Sequence, residues 1–302
     1  MHIKFLARGT GSAAAAATYL LAKRDAAGRK RAAVEVLRGD PREVAAIADA
    51  LPFKHRYTSG VVAWAREDAP APADVERFVD AFEALAWAGL DRDRYAWSAV
   101  VHRDREGGVH AHILAARCDL ASGRSLNIAP PGWQRTFDPL RDAFNYEHGW
   151  SRPDDPARAR AYRPEPSRAS RDATALRAEL AVEPDPRQWI GEYLLERVTA
   201  GTVRDRAGVV AALGDLGLEV TRQGRHYVTA RHPDTGDRWR LKGALYEHDL
   251  DGERFVQQQK AEPSGGREAA DGGDNASRAA EAWRAAKCAL PWSTASAHRN
   301  RR

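Results

Sequence analysis

The chain has 302 residues, 43% of them hydrophobic and 8% aromatic, ordinary values for a soluble globular protein. At about 100–200 residues per domain, it holds one large or two modest domains. Two cysteines, Cys118 and Cys288, exclude a disulfide framework and a cysteine-rich zinc module, and they fit a reducing, cytoplasmic setting. The formal net charge of +5 permits a polyanionic partner. Seven of the 47 basic residues are Lys and the other 40 are Arg, the side chain that forks onto phosphate and stacks on bases. An Arg- and Ala-rich codon background accounts for that bias equally well.

In chain order, residues 2–7 read as a short strand. The turn Arg8-Gly9-Thr10-Gly11-Ser12 then enters a helix running to about Lys23, with Ser12 as N-cap. Its alanine-rich stretch 13–22 superficially resembles a signal-peptide core, but Lys23-Arg24-Asp25 stands where small cleavage-site residues belong, so secretion is not expected. No apolar run approaches the roughly 18–20 residues of a membrane span. Residues 24–40 are charged and turn-rich, and Pro41–Leu51 reads as a short helix. Residues 58–65 have strand composition. Over 73–89, Val75, Phe78, Phe82, Leu85 and Ala86 share one helical face, which Gly89 closes. Residues 95–104 and 109–118 form a hairpin, a short strand follows near Leu126–Ile128, and Pro131 opens a helix to about His148.

Residues 151–175 are rich in Pro, Arg and Asp and read as a linker. A smaller unit over 176–260 follows, with helices at 187–199 and 203–216 and then three strands. From 261 to 302 the chain is rich in Gly, Ala and Glu and reads as a disordered or loosely helical tail. The expected fold is α+β: over 1–150, a mainly antiparallel central sheet with flanking helices, followed by a smaller C-terminal α+β unit.

The chemistry concentrates in His102-x-Asp104 and His110-x-His112. Two residues apart on a strand, His110 and His112 share a face. If the hairpin loop is Arg105-Glu106-Gly107 with Gly107 left-handed, Asp104 faces Gly108 and His102 lies opposite His110, so three imidazoles converge. A loop one residue shorter or longer puts His102 on the wrong side. Three such imidazoles can bind one divalent ion and leave coordination positions open for catalysis; the alternative is three surface or core histidines. Asp104 either orients a ligand imidazole or is a plain turn carboxylate. Tyr19, among the alanines of the first helix, is either a covalent nucleophile or a packing aromatic.

Taken together, GTGS followed by the helix ATYLLAKRD, then LPFKHRYTSGVVAWARED, then VVHRDREGGVHAHI resembles the relaxases of plasmid mobilisation, within the HUH endonuclease superfamily. The pair His110-Ala111-His112 is the histidine–hydrophobic–histidine element of that name. The resemblance covers roughly residues 1–150, and the segment RQGRHYVTARHPDTGDRWRLKG (222–243) is similar to a downstream stretch in some of these proteins. One subgroup replaces two of the histidines by Glu and Asn; this chain keeps all three.

The resemblance implies a strand-specific DNA nickase with Tyr19 as nucleophile, leaving a 5′-phosphotyrosine and a free 3′-hydroxyl. It also implies His102, His110 and His112 as ligands of a divalent ion, Mg²⁺ or Mn²⁺. The sequence does not name the base that deprotonates Tyr19: metal proximity, Asp104, Glu67 and Asp68 are the alternatives. Arg8, Lys23, Arg24, Lys54, His55 and Arg56 are candidate phosphate contacts, and Trp64, Trp97, Trp133 and Tyr146 candidate stacking platforms. The partners so implied are single-stranded and hairpin DNA at an origin of transfer, accessory mobilisation proteins and a coupling protein. Competing readings are a replication initiator or transposase of the same superfamily, which usually place the tyrosine after the histidines, a non-catalytic single-strand-binding module with a structural metal, and a small-molecule metallohydrolase.

Overall fold

The computed structural model describes residues 1–6, 9–25, 28–155, 158–163, 185–260 and 272–299. Five strands form one antiparallel sheet: β1 (His2–Phe5), β2 (Ala33–Arg38), β3 (Tyr57–Trp64), β4 (Trp97–Arg103) and β5 (Val109–Ala116), in the order β1-β3-β5-β4-β2. The histidine hairpin β4–β5 therefore occupies the middle, and every strand pairing is antiparallel. The fold is α+β, as the sequence implies.

Edge strand β2 is a departure, since 24–40 reads as charged turn. Val34 and Val36 alternate with Ala33, Glu35 and Leu37, and the strand pairs with β4 through Val34↔His102. An edge strand needs only one buried face and one partner, so its short pattern is masked by the Arg and Lys residues around it. Likewise, no strand forms at Leu126–Ile128; β7 (Arg124–Ser125) pairs instead with β6 (Cys118–Asp119).

Strand alternation divides the sheet into two faces. On one, Ala99, Val101, Ala111 and Ile113 are buried against α3 (Pro72–Ala86) and α4 (Gln134–His148), whose Phe78, Phe82, Phe137 and Phe144 are each 0% exposed. Burying one such ring is worth about 1.5–3 kcal/mol. Helix α8 (Gly272–Arg299) packs on α4, with Trp283 against the Phe144 ring and its Nε1 donating to Glu147 at 3.1 Å; its first half brings order to part of the stretch expected to be tail. On the opposite face, α1 (Ala13–Leu21) and α2 (Pro41–Ala50) cover Val100, Leu114 and Ala116. Ala13 and Ala17 of α1 are buried, and their small side chains let the helix lie close to the sheet.

The chain divides into two compact units, Met1–Pro153 with Ser264–Arg302, and Asp154–Pro263. The second contains α5 (Pro186–Thr199), α6 (Arg206–Asp215), the antiparallel strands β8 (Glu219–Gly224), β9 (Tyr227–Arg231) and β10 (Arg238–Leu241), and α7 (Gly252–Lys260). Ile190, Leu194, Val209, Leu213 and Val228 form its core. Part of the stretch read as linker belongs to this unit: Tyr162 lies against Gly191, where a Cβ would meet its ring at 2.2 Å, and Arg163 N donates to Lys242 O at 2.7 Å. The rest of that stretch from 164 onward lies outside the described residues.

Candidate active site

The cleft is built from the hairpin register. Gly107 is left-handed (φ 89°), Asp104 N donates to Gly108 O at 2.9 Å, and His102 pairs directly with His110. The three-residue loop thus puts His102, His110 and His112 on one face, the face covered by α1. The His102 and His112 rings lie 4.4 Å apart and those of His110 and His112 6.5 Å apart, centre to centre.

Helix α1 brings Tyr19 to the same place. Its ring centre stands 6.2 Å from that of His102 and 6.1 Å from that of His112, edge-on to both. The residue is 41% exposed, on a helix whose Ala13, Ala17 and Leu20 are buried. Two caps fix the start of α1. The Ser12 hydroxyl accepts from Ala15 N at 3.3 Å, and Asp49, at the end of α2, accepts from Ala13 N at 2.8 Å and Ala14 N at 3.0 Å. Helix α1 is thereby tied to α2 by hydrogen bonds that nothing in the local sequence announces.

Electrostatics favour neutral imidazoles. Burial pulls His102 down to about 4; the Leu20 carbonyl opposes this, while Arg31 and His110 add to it. Burial pulls His112 down to about 3, helped by His102, His110 and Arg31. His110 is lowered by burial too, with Asp104 opposing. His102 Nε2 lies 2.6 Å from Leu20 O; a carbonyl only accepts, so Nε2 carries the hydrogen and Nδ1 keeps its lone pair. Three neutral imidazoles on one patch of sheet are a chemically suitable donor set for a divalent ion. Among the described residues, however, no group of three or more His, Cys, Asp and Glu side chains is arranged so that it could hold a metal ion.

These groups line a cleft of about 540 Å³, together with Asp25, Arg29, Arg31, Arg66 and the hairpin loop. Asp104 lines it, but its carboxylate accepts from Glu106 N at 2.9 Å and Gly108 N at 2.6 Å and so serves the turn. Burial pushes its pKa up, and these amide bonds outweigh that and hold it below the ordinary carboxylate range. Glu67 and Asp68 are not brought to the cleft: Asp68 takes the Met1 amine at 3.2 Å and Ser151 N at 2.7 Å, and Glu67 accepts from the Ser151 hydroxyl at 3.2 Å.

No family model matches the chain, and no solved structure matches it. It is 31% identical over 270 residues to the DNA relaxase MbeA of Escherichia coli, covering 87% of this chain and 47% of that protein. It is 34% identical over 159 residues to the cryptic plasmid protein C of Neisseria gonorrhoeae, covering 52% of this chain and 75% of that protein. The chain belongs to the plasmid mobilisation relaxases. It spans about half the length of MbeA.

The candidate DNA contacts of this chain fare unequally. Lys23, Arg24, Lys54 and His55 are exposed, Arg24 donating to Gly28 O at 2.8 Å. Arg56 is engaged in holding the turn before α1, donating to Gly11 O at 2.9 Å and standing 3.7 Å from Asp49. Arg8 lies outside the described residues. Trp64 and Trp97 are not stacking platforms: they are 3% and 1% exposed, in the aromatic core on the far sheet face. Trp133 packs against that core beside Phe5, and Tyr146 lies under Arg152. The residue that sequence reasoning missed is Arg31, which reaches the cleft only through the fold.

Proposed function

We propose that this chain is a metal-dependent DNA strand transferase that nicks an origin of transfer through Tyr19. The observation that carries the reading is the convergence of an exposed Tyr19 ring with the three imidazoles in one cleft, from separate elements distant in the sequence. In the step, the phenol oxygen of Tyr19 bonds to phosphorus and the P–O3′ bond breaks, its electron pair leaving on O3′. The proton lost by the phenol is matched by the one O3′ gains, so one ester replaces another and the strand can be resealed.

A divalent ion, Mg²⁺ or Mn²⁺, held by His102, His110 and His112, would neutralise phosphate charge in the transition state. The hairpin fixes the spacing of those imidazoles, burial keeps them uncharged, and α1 holds the phenol over them. Lys23, Arg24 and Lys54 are the exposed cations assigned to the DNA backbone. The DNA is single-stranded beside a hairpin, and accessory mobilisation proteins and a coupling protein complete the assembly. The assigned compartment is the cytoplasm; among the described residues, no helix is long and apolar enough to cross a membrane.

The deciding experiment incubates the full chain with single-stranded oligonucleotides tiling the DNA that carries its gene, plus Mg²⁺ or Mn²⁺, followed by denaturing gels. A covalent adduct is expected. Tyr19→Phe, which removes one oxygen from an exposed ring, lowers adduct formation at least about 1000-fold with an unchanged melting temperature. An adduct that survives Tyr19→Phe overturns the assignment.

A further inference from the structure

One charged group in the cleft has no part in the scheme of nucleophile and imidazoles. Arg31 lies between α1 and β2 and is 8% exposed. Its Nη1 donates to Tyr19 O at 3.1 Å and also to Ala22 O, both at the end of α1. Its Cζ stands 4.8 Å from the centre of the Tyr19 ring. Its Nη2 is buried and has no hydrogen-bond partner among the described residues.

Among the described residues, no carboxylate of the cleft forms an ion pair with this guanidinium. Asp25 is bound to Arg29 at 2.8 Å, Glu106 to Arg66, and Asp104 to the amides of its own turn. A buried guanidinium with unmet donors is a costly arrangement, and the group is shaped to take anionic oxygens. Its location narrows which anion. The group lies against the ring of the nucleophile and lines the same cleft as His102 and His112.

We propose that Arg31 is a phosphate-binding residue of this cleft, its free Nη2 donating to a non-bridging oxygen of the phosphodiester presented to Tyr19. The identity of that phosphate rests on the strand-transferase reading; the contact itself does not. The two Nη1 bonds set the guanidinium in place before DNA arrives. The 41% exposed Tyr19 ring shifts over it to admit the oxygen. Arg31 then holds the phosphate from beneath the attacking ring while the imidazole side neutralises it from across the cleft.

The test measures binding of fluorescent dT12 to the full chain, without divalent ion, over a series of NaCl concentrations. Arg31→Gln is expected to bind about tenfold more weakly at low salt, and its log K against log[salt] slope to fall by about 0.7, the value for one single-strand phosphate contact. Arg31→Lys keeps the slope and loses part of the affinity, because the point charge stays and the fork is lost. A loosened α1 alone does not move the slope. Arg31→Gln with wild-type affinity and slope overturns the proposal. Should Arg31→Gln fail to fold by circular dichroism, Arg31→Lys decides, and wild-type affinity there overturns it. The outcomes also separate the two readings. A weakened dT12 contact without any wild-type adduct leaves the phosphate site standing and removes the nuclease. Equal adduct and equal dT12 binding in wild type and Arg31→Gln do the reverse.

Discussion

The two faces of the central sheet are made from alternate residues of the same strands, yet they solve opposite problems. Toward α3 and α4, the inward positions are mostly apolar, and Phe78, Phe82, Phe137 and Phe144 interlock with ring centres 5.2–6.4 Å apart. Toward α1 and α2, the apolar positions Val100, Leu114 and Ala116 give way, toward the hairpin loop, to His102, His110 and His112. The helix above that half presents alanines where the opposite face presents phenylalanines. The aromatic face supplies stability by bulk, and so frees the alanine face to leave polar groups buried and under-compensated, as Arg31 Nη2 is.

That contrast is broken most directly by one substitution on each face. Phe78→Ala removes a ring that is 0% exposed and is expected to cost about 3–5 kcal/mol, a large share of the roughly 5–15 kcal/mol that holds a domain together. Urea unfolding should show that loss, while the folded fraction nicks normally. His110→Ala should do the opposite: nicking falls about 100-fold or more, with dT12 affinity and urea midpoint close to wild type. If His110→Ala unfolds the protein as Phe78→Ala does, the histidine face is structural and the division of labour is wrong.

Much of this was legible in the sequence, and the boundary falls along a physical line. For the spacing from His102 to His110, a three-residue loop makes the imidazoles co-facial where a loop one residue shorter or longer does not, and Gly107 supplies the left-handed residue it needs, so the register follows from local geometry. Helix α3 was equally plain, since Val75, Phe78, Phe82 and Leu85 keep helical period and all are buried. What escaped was set by tertiary contact. Strand β2 has one partner and a short pattern; Trp64 and Trp97 carry no mark that tells core from stacking platform; Asp49 and Arg31 acquire their roles from α1, which the fold lays beside them. The meeting of Tyr19 with the imidazoles was accessible through motif resemblance alone, because no local rule joins residues on separate elements.

The hairpin sharpens the comparison at intermediate cost. A Cβ on Gly107 meets nothing within 4 Å, so Gly107→Ala introduces backbone strain and no clash. The left-handed conformation then costs about 1–2 kcal/mol. Because the loop fixes the His102–His110 pairing, nicking should fall by more than the stability loss explains, measured at a temperature where the variant is fully folded. A variant whose nicking is normal there would show that the strands, rather than the loop, hold the register.

The smallest expected effect concerns how α1 is anchored. Asp49 accepts from the amides of Ala13 and Ala14, stands 3.3 Å from the Ser12 hydroxyl and 3.7 Å from Arg56. The Ala13 amide is the main cause of its lowered pKa; burial opposes, and the Ala14 amide, Ser12 and Arg56 reinforce. A carboxyl with a folded pKa below its unfolded value contributes stability that is present above the unfolded value, near 4, and is lost as pH falls through the folded one. Asp49→Asn should therefore lower stability by about 1 kcal/mol at pH 7, the size of a helix cap, and flatten the decline in melting temperature between about pH 5 and pH 3. Since α1 carries Tyr19, the same variant should lose a fewfold of nicking at pH 7, whereas a surface carboxylate on the aromatic face, such as Asp80 beside Arg38, should lose none when changed to Asn. Equal acid sensitivity in wild type and Asp49→Asn would mean that α1 is seated by its alanines alone, and that the polar anchor contributes nothing to where the phenol stands.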